Sequence, residues 1–133
     1  MKNRNTVSPL FVLAALVSVL TGNAFAHAHL ESSAPVKDAT VNVLPGVVTL
    51  HFSESLEASM SKVEVKNLSD GKLLSEGKPS HPDGDKSALQ IALKNPASVL
   101  KKSRFEVSWK AVSKDSHKMP GKFEFTFDPA ATN

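Results

Sequence analysis

Hydrophobic and polar side chains alternate along several short segments of the chain, and this period of two is typical of half-buried β-strands. The clearest example is the C-terminal third, where Phe105, Val107 and Trp109 are separated by polar residues. The segments with alternation or high β-branched content are residues 47–52, 61–68, 87–94, 105–112 and 123–128. No helical amphipathic segment of useful length competes with them. The pattern therefore predicts an all-β antiparallel sandwich of six or seven short strands.

Turn-forming residues separate these segments, in the pairs Pro-Gly, Asp-Gly and Asn-Pro. Residues 76–86 contain two prolines, two glycines and no apolar side chain, so they are predicted to form a loop. Residues 113–122 are predicted to be the loop that joins the last two strands. Residues 53–58 are predicted to form a brief helical turn with Ser53 as its cap.

The first 26 residues follow a different pattern, that of a removable export signal. Two basic residues precede an uncharged apolar run at residues 10–20, and Ala24-Phe25-Ala26 supplies the small-x-small pattern at which signal peptidases cut. The run is too short for a membrane span, which needs about 20 apolar residues, so an uncleaved anchor is the weaker alternative. We therefore expect residues 1–26 to be removed, the protein to be exported, and His27 to begin the mature chain without stable membrane insertion.

Composition narrows the function classes. Residues 27–133 are the size of one ordinary domain, and the chain has no cysteine, which excludes disulfides and thiolate metal sites. The 16 basic and 13 acidic residues are mixed along the sequence, with no clustered basic run. Nucleic acid is therefore not expected as a partner.

A mature chain that begins at His27 would carry an α-amine and an imidazole on one residue, which together form a bidentate nitrogen chelate. Asp115 and His117 are two residues apart, so in extended backbone their side chains would point the same way. Nitrogen and carboxylate donors suit Cu(II), and the set His27, Asp115 and His117 is predicted to bind one Cu(II) ion. The competing interpretation is that residues 113–116 form a polar turn and that His117 is merely solvated.

The other histidines and Met119 are expected to have simpler roles than metal binding. His51 and His81 are interpreted as solvated strand and loop residues. His29 could complete an amino-terminal Cu(II) motif as the third residue, but it is more simply a structural residue beside the site. Met119 is kept as a remote alternative for Cu(I), because soft thioether sites generally need several sulfurs.

Three stretches of the sequence resemble one family. They are HAHLESSAP from residue 27, VVTLHFSESLE from residue 47, and FEVSWKAVSKDSHKMPGKFEFTF from residue 105. Together they resemble the CopC-type periplasmic copper-binding proteins, including the YobA-like members. The resemblance implies a Greek-key, immunoglobulin-like β-sandwich over residues 27–133 that carries Cu(II) in the periplasm. It implies the same ligands, His27, Asp115 and His117, and an inner-membrane CopD-type copper transporter as partner.

The chain also departs from that family. A methionine-rich segment, which forms a Cu(I) site in some members, is absent, and this favours a single Cu(II) site. Ser116 stands where many members have glycine. The leading prediction is a copper carrier or buffer in copper homeostasis or resistance, without catalysis. The alternatives are a copper monooxygenase with a histidine brace, and a metal-free accessory sandwich.

Overall fold

The protein is described by a computed structural model over residues 29–132 and consists of two four-stranded β-sheets. The strands are β1 (Leu30–Ala34), β2 (Thr40–Val41), β3 (Val47–Phe52), β4 (Lys62–Asn67), β5 (Ser75–Ser80), β6 (Ala88–Leu93), β7 (Ser103–Val112) and β8 (Lys118–Phe127). Short 3-10 turns occupy Ala58–Met60, Pro82–Gly84 and Pro96–Ser98. The all-β prediction is confirmed. Within the described residues, no helix is long and apolar enough to cross a membrane.

The strand order of one sheet is β1-β3-β6-β5 and that of the other is β2-β8-β7-β4. Every pairing is antiparallel except the two-residue pairing of β2 with β8, which is parallel. Consecutive strands often lie in different sheets, as in a Greek-key sandwich, so the chain crosses between the layers several times. The sandwich prediction holds, with eight strands instead of six or seven.

The core lies between the sheets and is formed by the alternating positions that the sequence identifies. Phe105 and Phe125 stack with ring centroids 5.2 Å apart, and Val48, Leu50, Val65 and Val107 are fully buried around them. Packing the inner faces of two sheets in this way removes apolar surface from water, which is the main driving force for the fold.

Residues 76–86 were predicted as a loop, and this prediction is wrong for the first five of them. Ser75–Ser80 forms β5, which pairs with β6 at Ser75–Leu93 and again at Ser80–Gln90, with an irregular stretch between. The strand lies at the sheet edge and only one of its side chains, Pro79, is buried. Strand β5 is therefore held by backbone hydrogen bonds. Such bonds do not require apolar side chains at alternate positions, so the sequence shows no strand pattern there.

The predicted loop at residues 113–122 is also too long, because β8 already begins at Lys118. Pro120 pairs with Lys110 of β7, and β2 reaches only the far end of β8, so at Pro120 the other side of β8 has no strand beside it. A proline is tolerated where no ladder hydrogen bond is needed. The predicted turn capped by Ser53 is wrong as well: the 3-10 turn begins later, after Glu57, with no side-chain cap.

Candidate metal centre

The turn between β7 and β8 holds the two described residues of the predicted site. Ser113 directly follows β7 and is 1% exposed. Its N–H donates to the His117 carbonyl oxygen at 3.0 Å, and its own carbonyl accepts from the Ser116 N–H at 2.9 Å. Ser116 has φ of 71°, in the left-handed region. The turn is therefore closed by backbone hydrogen bonds around Ser113.

The hydroxyl of Ser113 joins the same turn to both predicted ligands. It accepts a hydrogen bond from the His117 N–H at 3.1 Å and donates one to Oδ1 of Asp115. A side chain that satisfies a backbone donor and a carboxylate together fixes the orientation of the residues that carry them. Ser113 is thus the residue that positions Asp115 and His117.

Asp115 and His117 contact each other directly. Nδ1 of His117 lies 2.7 Å from Oδ2 of Asp115, so the ring donates its N–H to the carboxylate, which can only accept when ionised. The hydrogen bond from Ser113, and then that from His117, holds the pKa of the Asp115 carboxyl below its usual value. Both side chains are well exposed to solvent. The pair therefore presents an ionised carboxylate and an imidazole whose Nε2 is left for another partner.

The geometric reason for this pairing differs from the predicted one. Extended backbone was expected to align the two side chains, but residues 113–117 form a turn with a left-handed residue at Ser116. The two side chains meet because the turn is tight and because Ser113 bonds to both. No role was predicted for Ser113; its signal is a serine two residues before an aspartate, a spacing common in turns.

The segment after β3 connects this turn to the start of the described chain. The Ser53 N–H donates to the His29 carbonyl at 3.0 Å, and the His29 N–H donates to the Ser53 hydroxyl at 3.1 Å. A few residues later, Leu56 forms a bridge with Ser113, and the Lys114 N–H donates to the Ser55 carbonyl at 3.2 Å. His29 and the β7–β8 turn therefore lie at the same end of the sandwich.

His27 and the predicted signal peptide lie outside the described residues. Within residues 29–132, no three histidine, aspartate or glutamate side chains come together as a metal-binding group. The described part of the chain thus supplies two of the three predicted ligands. Met119 is partly buried against the core, whereas Met60 is 61% exposed.

The remaining histidines lie elsewhere. Nδ1 of His51 is 3.6 Å from Oδ2 of Asp85, and His81 donates from Nδ1 to the Ala88 carbonyl at 2.8 Å. Hydrogen bonds from the Ser87 hydroxyl and N–H hold the pKa of Asp85 below its usual value. His51 and His81 are therefore partly tied to neighbouring groups, whereas they were predicted to be simply solvated.

The fold and this site together define a class of protein. Its members are two-sheet β-sandwiches with an aspartate–histidine pair in the turn at one end. The CopC domain family model matches residues 30–128. The chain belongs to the CopC family.

Among curated proteins, the chain is similar to Protein YobA of Escherichia coli K12, with 31% identity over 117 residues that cover 87% of this chain and 91% of YobA. It is also similar to Copper resistance protein C of Pseudomonas syringae pv. tomato, with 33% identity over 132 residues that cover 92% of this chain and 95% of the relative.

Among solved structures, CopC from Methylosinus trichosporium OB3b superposes with a TM-score of 0.68 at 26% identity, covering 80% of this chain and 99% of that one. PcoC from Escherichia coli, described as a methionine-rich copper resistance protein, gives a TM-score of 0.63 at 29% identity, covering 77% and 100%. Both likenesses extend over almost the whole of the solved chains.

Proposed function

We propose that the chain is a periplasmic Cu(II)-binding protein that carries or buffers one copper ion and performs no catalysis. The observation that carries this proposal is the Asp115–His117 pair, held in the β7–β8 turn by Ser113 at the end of the sandwich where the chain enters at His29. Relatives named copper resistance protein C support copper as the cargo.

The proposed third ligand is His27, as the first residue after removal of residues 1–26. His27 precedes His29 by two residues, and two extended residues span at most about 7 Å. Since both backbone groups of His29 are bonded to Ser53, the backbone of His27 with its new amine would lie within that distance of a fixed point at the Asp115–His117 end, and its imidazole would extend from there.

The donor chemistry of the described residues fits Cu(II). His117 donates a hydrogen bond from its Nδ1–H to Asp115, which leaves Nε2 as the basic nitrogen, and such a carboxylate–histidine contact fixes the tautomer of metal-binding histidines. Asp115 remains ionised at neutral pH and can offer an oxygen to the same ion or hold the ring beside it. Imidazole, amine and carboxylate donors together favour Cu(II) over Cu(I).

The test is a Cu(II) titration followed by electron paramagnetic resonance on residues 27–133, beside the same chain with one extra amino-terminal residue. We expect one tight equivalent that is lost on extension and in His117→Ala. His51→Ala is the matched control, since it removes an imidazole that also contacts an aspartate, but outside the β7–β8 turn. If copper binding is unaffected by the extension and by His117→Ala, a metal-free accessory sandwich would be the better description.

Two further arms separate the remaining alternatives. Asp115→Asn keeps the shape of the side chain but removes its charge, so a changed copper spectrum would identify Asp115 as a ligand. An unchanged spectrum with weaker binding would identify it as the group that orients His117. Oxygenation of a polysaccharide in the presence of reductant and peroxide would replace the carrier proposal with a copper monooxygenase.

The proposed cellular setting follows from the same assignment. Export and cleavage after Ala26 would place the protein in the periplasm, and an inner-membrane CopD-type copper transporter is the proposed exchange partner. Peptide mass analysis of the protein recovered from periplasmic extracts tests the first step: the expected amino-terminal residue is His27, and an intact residue 1 in that fraction would contradict it.

A further inference from the structure

The end of the sandwich opposite the β7–β8 turn carries an open groove of about 640 Å³. It is formed by the β4–β5 turn, residues 67–74, and by the connection between β6 and β7, residues 94–103. We call these two segments the lysine–leucine end. Because β7 is ten residues long and a strand rises about 3.3 Å per residue, this end is about 30 Å from the Asp115–His117 pair.

Two leucines project from the lysine–leucine end into solvent. Leu100 in the β6–β7 connection is 78% exposed, and Leu73 in the β4–β5 turn is 52% exposed. Neighbouring Leu74 and Val99 are instead packed into or against the core. Leucines that face water on two adjacent turns form an apolar patch, and such patches mark surfaces that bind another molecule.

The charge around these leucines is net positive. The groove is lined by Lys72, Lys94, Lys101 and Lys102 against a single aspartate, Asp70. Lys102 is 2.9 Å from Asp128 and Lys72 is 4.0 Å from Asp70. Lys94 and Lys101 form no ion pair with any residue in the described part of the chain. Lys72 is distant in sequence from the other three lysines, and the fold brings all four to the same groove.

We propose that the lysine–leucine end docks on the surface of an anionic phospholipid membrane. Lysine ammonium groups at headgroup level are attracted by lipid phosphates, while apolar side chains beside them enter the boundary of the acyl region. Leu73 and Leu100 are outward-facing tips and not the floor of a closed pocket, so they suit a soft planar surface better than a folded acidic partner. Docking at this end would leave the β7–β8 turn facing away from the membrane.

The test measures co-sedimentation of the exported, purified protein with vesicles. One set is phosphatidylcholine alone, and the other contains phosphatidylcholine and phosphatidylglycerol at about three to one. We expect binding to the anionic vesicles only, weakened by salt because screening acts on exposed charges. The variant with Leu73→Ser and Leu100→Ser, and the variant with Lys94→Glu and Lys101→Glu, are each expected to bind about tenfold or more weakly.

Matched controls lie at the opposite end. Met60→Ser removes an exposed apolar side chain near the end of β7, and Lys110→Glu reverses an exposed charge there, and both are expected to bind like the unaltered protein. Equal melting temperatures of all variants would show that the fold is intact. Equal binding to both vesicle types, binding that the lysine–leucine variants do not reduce, or binding to soluble polyglutamate in place of vesicles would each overturn the proposal.

Discussion

Replacing Ser113 by alanine tests whether this residue positions the proposed copper ligands or only closes a turn. The substitution removes the hydroxyl of a residue that is 1% exposed, and this hydroxyl accepts from the His117 N–H and donates to Asp115. The backbone bond from the Ser113 N–H to the His117 carbonyl, at 3.0 Å, does not depend on the side chain. The turn should therefore persist while the two ligands lose their shared anchor.

The magnitude follows from the surroundings of each lost bond. The His117 N–H is partly buried and loses its acceptor, whereas the exposed Asp115 carboxylate regains water. The bond to the His117 N–H is lost outright, and the bond to Asp115 is partly replaced by water. Together these changes should lower the free energy of unfolding by about 1–2 kcal/mol. For a domain of this size the melting temperature should fall by roughly 5–10 °C. Loss of a group that orients metal ligands typically weakens metal binding by about 10–100-fold.

The assay combines thermal unfolding of the metal-free protein with a competition titration against a Cu(II) chelator. Ser87→Ala is the matched control, because the Ser87 hydroxyl also donates to an aspartate, Asp85, at 2.7 Å, but on an exposed loop. It should change stability by less than about 0.5 kcal/mol and leave copper affinity unaltered. A Ser113→Ala protein with reduced stability and unreduced copper affinity would refute the positioning role.

Three further substitutions test other parts of the structure by thermal unfolding. Ser116→Gly should raise the melting temperature by the equivalent of about 0.5–1 kcal/mol, since glycine adopts the φ of 71° without a Cβ penalty; an unchanged value would contradict the left-handed assignment. Gly121→Ala should cost about 1–3 kcal/mol, because the added methyl would overlap the Trp109 indole, and a neutral effect would exclude that contact. Lys102 holds the pKa of Asp128 below its usual value, so this carboxylate stabilises the fold at neutral pH and begins to lose that effect as the pH falls below about 4. Asp128→Asn should therefore lower the melting temperature at pH 7, and its difference from the unaltered protein should shrink steadily below about pH 4; a difference that stays constant into acid would be inconsistent with this linkage.

The strands that were predicted correctly from the sequence are those in which buried apolar and exposed polar side chains alternate. In β7, Phe105 and Val107 face the core and their neighbours face outward, so the period of two is complete within one segment. The strand β5 could not be predicted in this way, because it is an edge strand held by backbone bonds to β6. The start of β8 was hidden for another reason: Pro120-Gly121 resembles a turn, while its real constraint is the indole of Trp109 on the neighbouring strand.

The candidate site, too, could be predicted from the sequence only in part. Asp115 and His117 could be proposed as ligands because they are two residues apart and because, together with an amino-terminal histidine, their donors suit Cu(II). Their orientation depends on Ser113, a 1% exposed residue that directly follows β7 and forms a bridge with Leu56. Such a role requires knowledge of which backbone groups the fold leaves without partners, and no local spacing contains that information.

The proposed ligand set joins two distant parts of the chain, and the fold alone provides only one of them. His117 and Asp115 are oriented by the turn before any metal arrives, whereas the amine of His27 would exist only after a peptide bond is cut. Anchoring of His29 to Ser53 limits how far that amine can move, so most of the ordering cost of a third ligand would be met by the fold. Acetylating the amine while keeping the His27 imidazole therefore separates the two contributions. If the amine is a ligand, the affinity should fall towards that of the unprocessed chain; if only the ring binds, it should stay close to that of the free terminus.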